Sequence, residues 1–146
     1  MARRTFFSFK YEDVSRAMIV RNSWVTQGRE AAGFIDAASY EEVKKKGDGA
    51  IKTWIDGQLD GTTVTVVLVG EDTCGSRWVK YEIDRSKELG HGLLGIDVSM
   101  IKDLKGETSS RCGKIPAGYS FYLWNNDDGY HNMGTWIEES ARAAGK

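Results

Sequence analysis

Val64-Thr65-Val66-Val67-Leu68-Val69-Gly70 is the most apolar run in the chain, and Ser76-Arg77-Trp78-Val79-Lys80-Tyr81-Glu82 follows it after a short polar loop. The first segment is rich in β-branched residues, shows no polar alternation and stops at a glycine. Those features predict a strand buried on both faces, the kind found at the centre of a parallel sheet. In the second segment Ser76 can set its side-chain oxygen on a backbone N–H left open at a helix start. Trp78 and Glu82 are four residues apart, so they share one helix face, a turn apart. A carboxylate beside an indole, just past the carboxyl end of a central strand, stands where open α/β sheets bind ligands. A plainer reading of the same residues makes Trp78 packing and Glu82 a solvated helix residue.

The flanking sequence repeats this strand-then-helix order. Before it, Thr5-Phe6-Phe7-Ser8-Phe9 is a short β-type run, and Asp13 can cap a helix whose residues Val14, Met18, Ile19 and Trp24 recur at helical spacing. Ala31 to Asp36 reads as a second strand ending at an acid, and Ala37 to Lys46 as polar and loosely helical at best. Ile51, Trp54, Ile55 and Leu59 then form one amphipathic face. After the central strand, the helix from Ser76 runs to about Leu89, where Gly90 closes it. Leu93 to Val98 is a fourth strand. Tyr119 to Trp124 is a fifth, at an edge. Asn125 to Gly129 is a turn, and Gly134 to Ala144 is a final helix. Ser99 to Gly118 is a long polar connection holding the only proline, Pro116; loops of that length are often functional or partly structured.

Five such repeats predict an α/β, flavodoxin-like three-layer fold: a five-stranded, mainly parallel sheet with helices on both faces and right-handed crossovers. Strand order 2-1-3-4-5 is the common arrangement for five strands. No linker or internal repeat divides the chain, so residues 1–146 read as one domain.

Composition narrows the function. Twenty basic against twenty-one acidic residues leave a net charge of −1, which gives no reason to expect nucleic acid or an anionic membrane as partner. No apolar run approaches the ~20 residues of a membrane span, and Met1 to Phe7 lacks the apolar core of a signal peptide, so a cytoplasmic protein is expected. Cys74 and Cys112 lack C-x-x-C spacing and suit reduced thiols better than a disulfide or a zinc site. His91 and His131 are isolated, which argues against a metal; His91 reads as a helix-end residue favoured by the dipole, and His131 as exposed after a turn.

The dinucleotide-binding G-x-G-x-x-G, the P-loop and the G-x-S-x-G elbow are all missing. A receiver domain shares the expected fold, but it needs paired acids after the first strand and an Asp ending the third, to hold a cation. Here those strands end Ser8-Phe9-Lys10 and Val69-Gly70. What gathers at the carboxyl ends of the strands is Ser8, Phe9 and Lys10, then Asp36, then Ser76, Trp78 and Glu82. Helix N-termini nearby offer donors for phosphate, Lys10 a positive charge, and the aromatics stacking faces. This suits a nucleotide whose sugar needs a carboxylate. The plainer account keeps Phe7 and Phe9 in the core and Lys10 and Asp36 in solvated loops.

These residues resemble a known family. Phe6-Phe7-Ser8-Phe9-Lys10-Tyr11-Glu12-Asp13 resembles the first box of TIR domains, Phe34-Ile35-Asp36 their second strand, and Ser76 to Glu82 their S-x-W-C-x-x-E box, with Val79 where many members have Cys. Asn22-x-Trp24-Val25-Thr26 and the late Trp124 with Asp127-Asp128-Gly129-Tyr130 make the chain similar to the TIR-like ThsB-type proteins of the Thoeris anti-phage system. The resemblance implies an NAD-consuming enzyme that cleaves the nicotinamide–ribose bond. Glu82 would be catalytic, and Ser8, Phe9, Lys10, Asp36, Ser76 and Trp78 would bind substrate. It implies NAD as substrate rather than cofactor, self-association, and a cyclic ADP-ribose-type product that reaches a separate effector by diffusion. The alternative is a TIR-like interaction module without catalysis.

Overall fold

In the computed structural model, which describes residues 3–29, 31–34 and 37–146 (the backbone alone at 37 and 38), five strands form one parallel sheet in the order β2-β1-β3-β4-β5. The strands are β1 Thr5–Ser8, β2 Ala31–Ala32, β3 Val64–Val69, β4 Gly92–Asp97 and β5 Ser120–Leu123; every neighbouring pair is parallel. The helices are α1 Val14–Val25, α2 Ala37–Lys45, α3 Asp48–Leu59, α4 Arg77–Glu88 and α5 Gly129–Ala143. The expected α/β architecture and strand order are thus present.

The alternation of side chains along each strand separates the two layers of helices. Phe7, Val66, Leu68, Leu94 and Ile96 share a core with Val20 and Trp24 of α1 and Met133, Trp136 and Ile137 of α5. Phe6 faces the other way and packs with Ile51, Ile55 and Leu59 of α3, while Val67, Val69 and Leu93 pack with Val79 of α4. Ser8 follows Phe6 by two residues, so it points to the α3–α4 side. The register sets Ser8 beside Val67 of β3, next to α4.

Several elements differ from the sequence expectation. The 37–45 stretch is a full helix, because Val43 joins the apolar cluster under α3 and that burial outweighs a polar composition. Helix α5 starts at Gly129, five residues before the expected start; Gly129 sits so close to the Trp124 ring that a Cβ there would overlap it. Among the described residues β2 covers only Ala31–Ala32; Ile35 and Asp36 lie outside them. Asp13 precedes α1 but its side chain caps nothing: it is buried against Gly70, next to Arg16. His91 is half-buried, and burial lowers its pKa, opposite to the charged helix-end residue expected. His131 lies in the first turn of α5, exposed, with Nδ1 2.8 Å from Asp128 Oδ2.

The 99–118 connection is well anchored despite having no helix or strand. Arg16 of α1 is buried and donates to the carbonyl oxygens of Ile101 (2.6 Å) and Glu107 (2.8 Å). Asp103 closes a tight turn by accepting from the backbone N–H of Lys105 and Glu107. Further along, Cys112 forms a disulfide with Cys74, Cα atoms 5.3 Å apart, which corrects the expectation of free thiols. The pairing was invisible in the spacing because it depends on two loops meeting at the carboxyl ends of β3 and β4. There the Cys112 N–H donates to Gly70 O and the Cys74 N–H to Cys112 O. Among the described residues no helix is long and apolar enough to cross a membrane, and no group of His, Cys, Asp and Glu is placed to hold a metal ion.

Candidate functional site

Helix α4 begins as the sequence suggests: Ser76 Oγ accepts from the Val79 N–H, and Gly90 beyond its end takes a left-handed φ of 72°. Val79, Glu82 and Ser86 form its buried stripe. Ser86 pins that stripe to the sheet, with its hydroxyl 2.7 Å from both Thr65 Oγ1 of β3 and the Glu82 carbonyl. Glu82 is therefore held one turn from a fixed point, facing the end of β1.

Ser8 Oγ donates to Glu82 Oε1 at 2.6 Å, in the interior. Glu82 is only 7% exposed and has no cation beside it among the described residues, so burial pushes its carboxyl up to about 8; the Ser8 hydrogen bond opposes this without overcoming it. At neutral pH the group is mainly a protonated acid. A helical Glu that is buried, uncharged and aimed at a strand end is not the solvated residue of the plainer reading.

Beside this pair lies a cavity of about 150 Å³. Phe9, Lys10, Ser76, Trp78 and Glu82 all line it, so five of the residues singled out in the sequence border one space; Ser8 reaches it through its bond to Glu82. Asp36 falls outside the described residues. The Lys10 ammonium has no hydrogen-bond or ion-pair partner among the described residues, leaving a cation at the cavity. Trp78 serves two ends: it lines the cavity and also packs into the cluster of Phe6, Ile51, Ile55 and Trp54. Phe9 packs on Phe34, ring centroids 5.1 Å apart.

The far wall was not anticipated. Tyr40 and Val43 of α2, Trp54 of α3 and Tyr11 complete the cavity, and the Tyr11 and Tyr40 rings stack almost parallel at 4.5 Å. Tyr40 and Val43, three apart in a stretch that otherwise reads Glu41-Glu42 and Lys44-Lys45, carried a faint helical signal that the polar composition masked. A wider groove of about 620 Å³ lies on the other side of α4, between Val79, Ile83 and the 113–116 segment. It contains no buried acid, and its Lys80 is paired with Asp84.

Chemically, the cavity offers one buried acid with a hydrogen-bond donor behind it, aromatic walls, and at its open side the Lys10 ammonium and the exposed Glu12 carboxylate. Such a set can surround a flat ring and the sugar attached to it.

Residues 6–103 match the family described as Thoeris protein ThsB, TIR-like domain. A curated relative from Bacillus cereus (strain MSX-D12), named "Putative cyclic ADP-D-ribose synthase ThsB1", is 42% identical over 139 residues, spanning 93% of this chain and 72% of the relative.

Proposed function

Because the chain belongs to the family of Thoeris ThsB TIR-like domains, we propose that it is an NAD-processing enzyme, a single TIR-like domain that cleaves the nicotinamide–ribose bond and forms a cyclic ADP-ribose-type signal. The observation that carries this reading is Glu82, buried at the wall of the cavity and hydrogen-bonded to Ser8. The name of the Bacillus relative points to the same product class.

The reaction follows from the charges. The nicotinamide ring of NAD is cationic and leaves with the bonding electron pair as a neutral molecule, so it needs no proton from the protein. Positive charge builds on the ribose as the bond lengthens, in an oxocarbenium-like transition state. A carboxylate at the sugar face stabilises that charge strongly, because the site excludes water. Burial keeps Glu82 mainly protonated at neutral pH, and the arriving pyridinium cation draws its pKa down. Binding thus ionises the group that the transition state requires, and expels one proton. Another nucleophilic group of the same molecule then attacks the anomeric carbon and gives up its proton to close the ring; water in its place gives linear ADP-ribose.

At about 150 Å³ the cavity is smaller than the ~300–1,000 Å³ of ordinary ligand sites. It holds the nicotinamide end, with Lys10 at the rim for the phosphates, and the adenine end lies outside. A second copy completes the site in this reading, and the product acts on a separate effector by diffusion; no cofactor takes part. The test is NAD turnover followed by mass spectrometry, with Glu82→Gln alongside. The wild type should release nicotinamide and a cyclic nucleotide, and the variant should be at least ~10²-fold slower. Equal rates would remove Glu82 from the chemistry. Absence of any nucleotide product from wild type, alone and in phage-challenged cells, would leave an interaction module.

A further inference from the structure

Tyr40 lines the same cavity as Glu82. One face of its ring is stacked on Tyr11, and Lys44 Nζ stands 5.1 Å from the ring centroid. Lys44 follows by four residues on α2 and does not line the cavity. Tyr11 and Lys44 occupy the ring's faces, so what Tyr40 can offer the cavity is its edge and its hydroxyl. That hydroxyl has no hydrogen-bond partner among the described residues. The phenol is held above its usual range, first by burial and then, against the pull of Lys44, by Glu12, Glu82 and Glu41; it stays a donor at any working pH. Tyr40 and Glu82 both line the one cavity. A half-buried phenol, held by a stacked ring and left without an acceptor, is poised to donate to a bound molecule.

We infer that Tyr40 is a substrate-positioning residue whose hydroxyl donates to a ribose hydroxyl of the bound nucleotide. This rests on the NAD reading above. Glu82 and Tyr40 reach the cavity from different helices, α4 and α2. Together they would hold the sugar, one accepting and one donating, in the bound substrate and the transition state alike. The nicotinamide ring needs nothing from the hydroxyl.

Tyr40→Phe isolates the hydroxyl, since both ring contacts remain. Steady-state turnover of NAD is measured for wild type and Tyr40→Phe. NAD and nicotinamide binding are measured by calorimetry on Glu82→Gln with and without Tyr40→Phe, where turnover does not interfere. The expected result is a KM and an NAD Kd each raised roughly tenfold, the value of one hydrogen bond to substrate, with kcat within about threefold and nicotinamide binding unchanged. Melting temperatures within ~2 °C of the parent show that packing is intact. A Tyr40→Phe enzyme equal to wild type overturns the assignment and leaves the NAD reading standing. Nicotinamide affinity falling as much as NAD affinity also overturns it, because the hydroxyl would then serve the ring. A wild-type protein that neither binds nor cleaves NAD overturns both.

Discussion

Ser8 and Glu82 stand 74 positions apart in the chain, and their side chains meet in a 2.6 Å hydrogen bond inside the protein, between β1 and α4. That bond is the polar contact to the Glu82 carboxyl among the described residues, so the protonation of Glu82 answers to Ser8.

Ser8→Ala should therefore shift the pH profile. The Ser8 hydrogen bond favours the ionised carboxylate, while burial disfavours it. Removing the bond pushes the Glu82 pKa above about 8. If kcat/KM rises with ionisation of Glu82 in the free enzyme, its midpoint in Ser8→Ala lies about one unit higher than in wild type. Rates of NAD turnover from pH 6 to 10 check this; an unshifted midpoint would mean that Ser8 does not tune the acid.

Glu82 also links stability to pH. Its folded-state pKa of about 8 lies above the 4.5 of an ordinary Glu, so the folded state keeps a proton that the unfolded chain has released. Its contribution is fully present below about pH 4.5 and is lost as pH rises toward 8. Wild type should lose on the order of a few kcal/mol across that window from this group. Glu82→Gln cannot titrate, so urea unfolding of the variant at pH 5 and pH 8 should show a clearly flatter dependence than wild type.

The Cys74–Cys112 bond closes a loop with a sequence separation of 38. Loop-closure entropy predicts ~4 kcal/mol of stabilisation for a loop of that size. Reduction, or Cys112→Ser, should lower the melting temperature by roughly 10 °C. Thiol titration of the unreduced native protein should find no free cysteine, in line with the pairing of both.

Arg16→Ala tests what anchors the long connection. The guanidinium is buried, bonded to the Ile101 and Glu107 carbonyls and 4.0 Å from the buried Asp13 carboxylate. Burial raises the Asp13 carboxyl, and Arg16 is the chief group holding it down. Removing the cation strands that acid and two carbonyls, at a cost of about 3 kcal/mol. Hydrogen exchange should rise first at Ile101 N–H and in the 103–107 turn, before the sheet loosens.

The strands were legible because short apolar runs bounded by glycine or polar loops alternate with helical spacing; their order is not written in that pattern and was expected only as the common arrangement for five strands. A parallel sheet buries such strands whatever the helices around them do. Ser8, Phe9 and Lys10 after β1 and Ser76, Trp78 and Glu82 after β3 could be grouped for the same reason, since strand ends share one edge. Tyr40 was not legible. Its helix is mostly polar, which hides its narrow apolar face, and it forms because Val43 finds the cluster under α3.

From residue order alone came the α/β layers, the helix cap at Ser76, the pairing of Trp78 with Glu82 on one face, and the family. Those are local or periodic properties, written in spacing. Tertiary structure alone decided that Glu82 is a buried acid rather than a solvated carboxylate, that Ser8 is its partner, that Cys74 meets Cys112, and that Tyr11 and Tyr40 close the cavity. Each of these depends on which distant segments exclude water from one another, and that is settled only when the sheet brings the strand ends together and the helices pack over them.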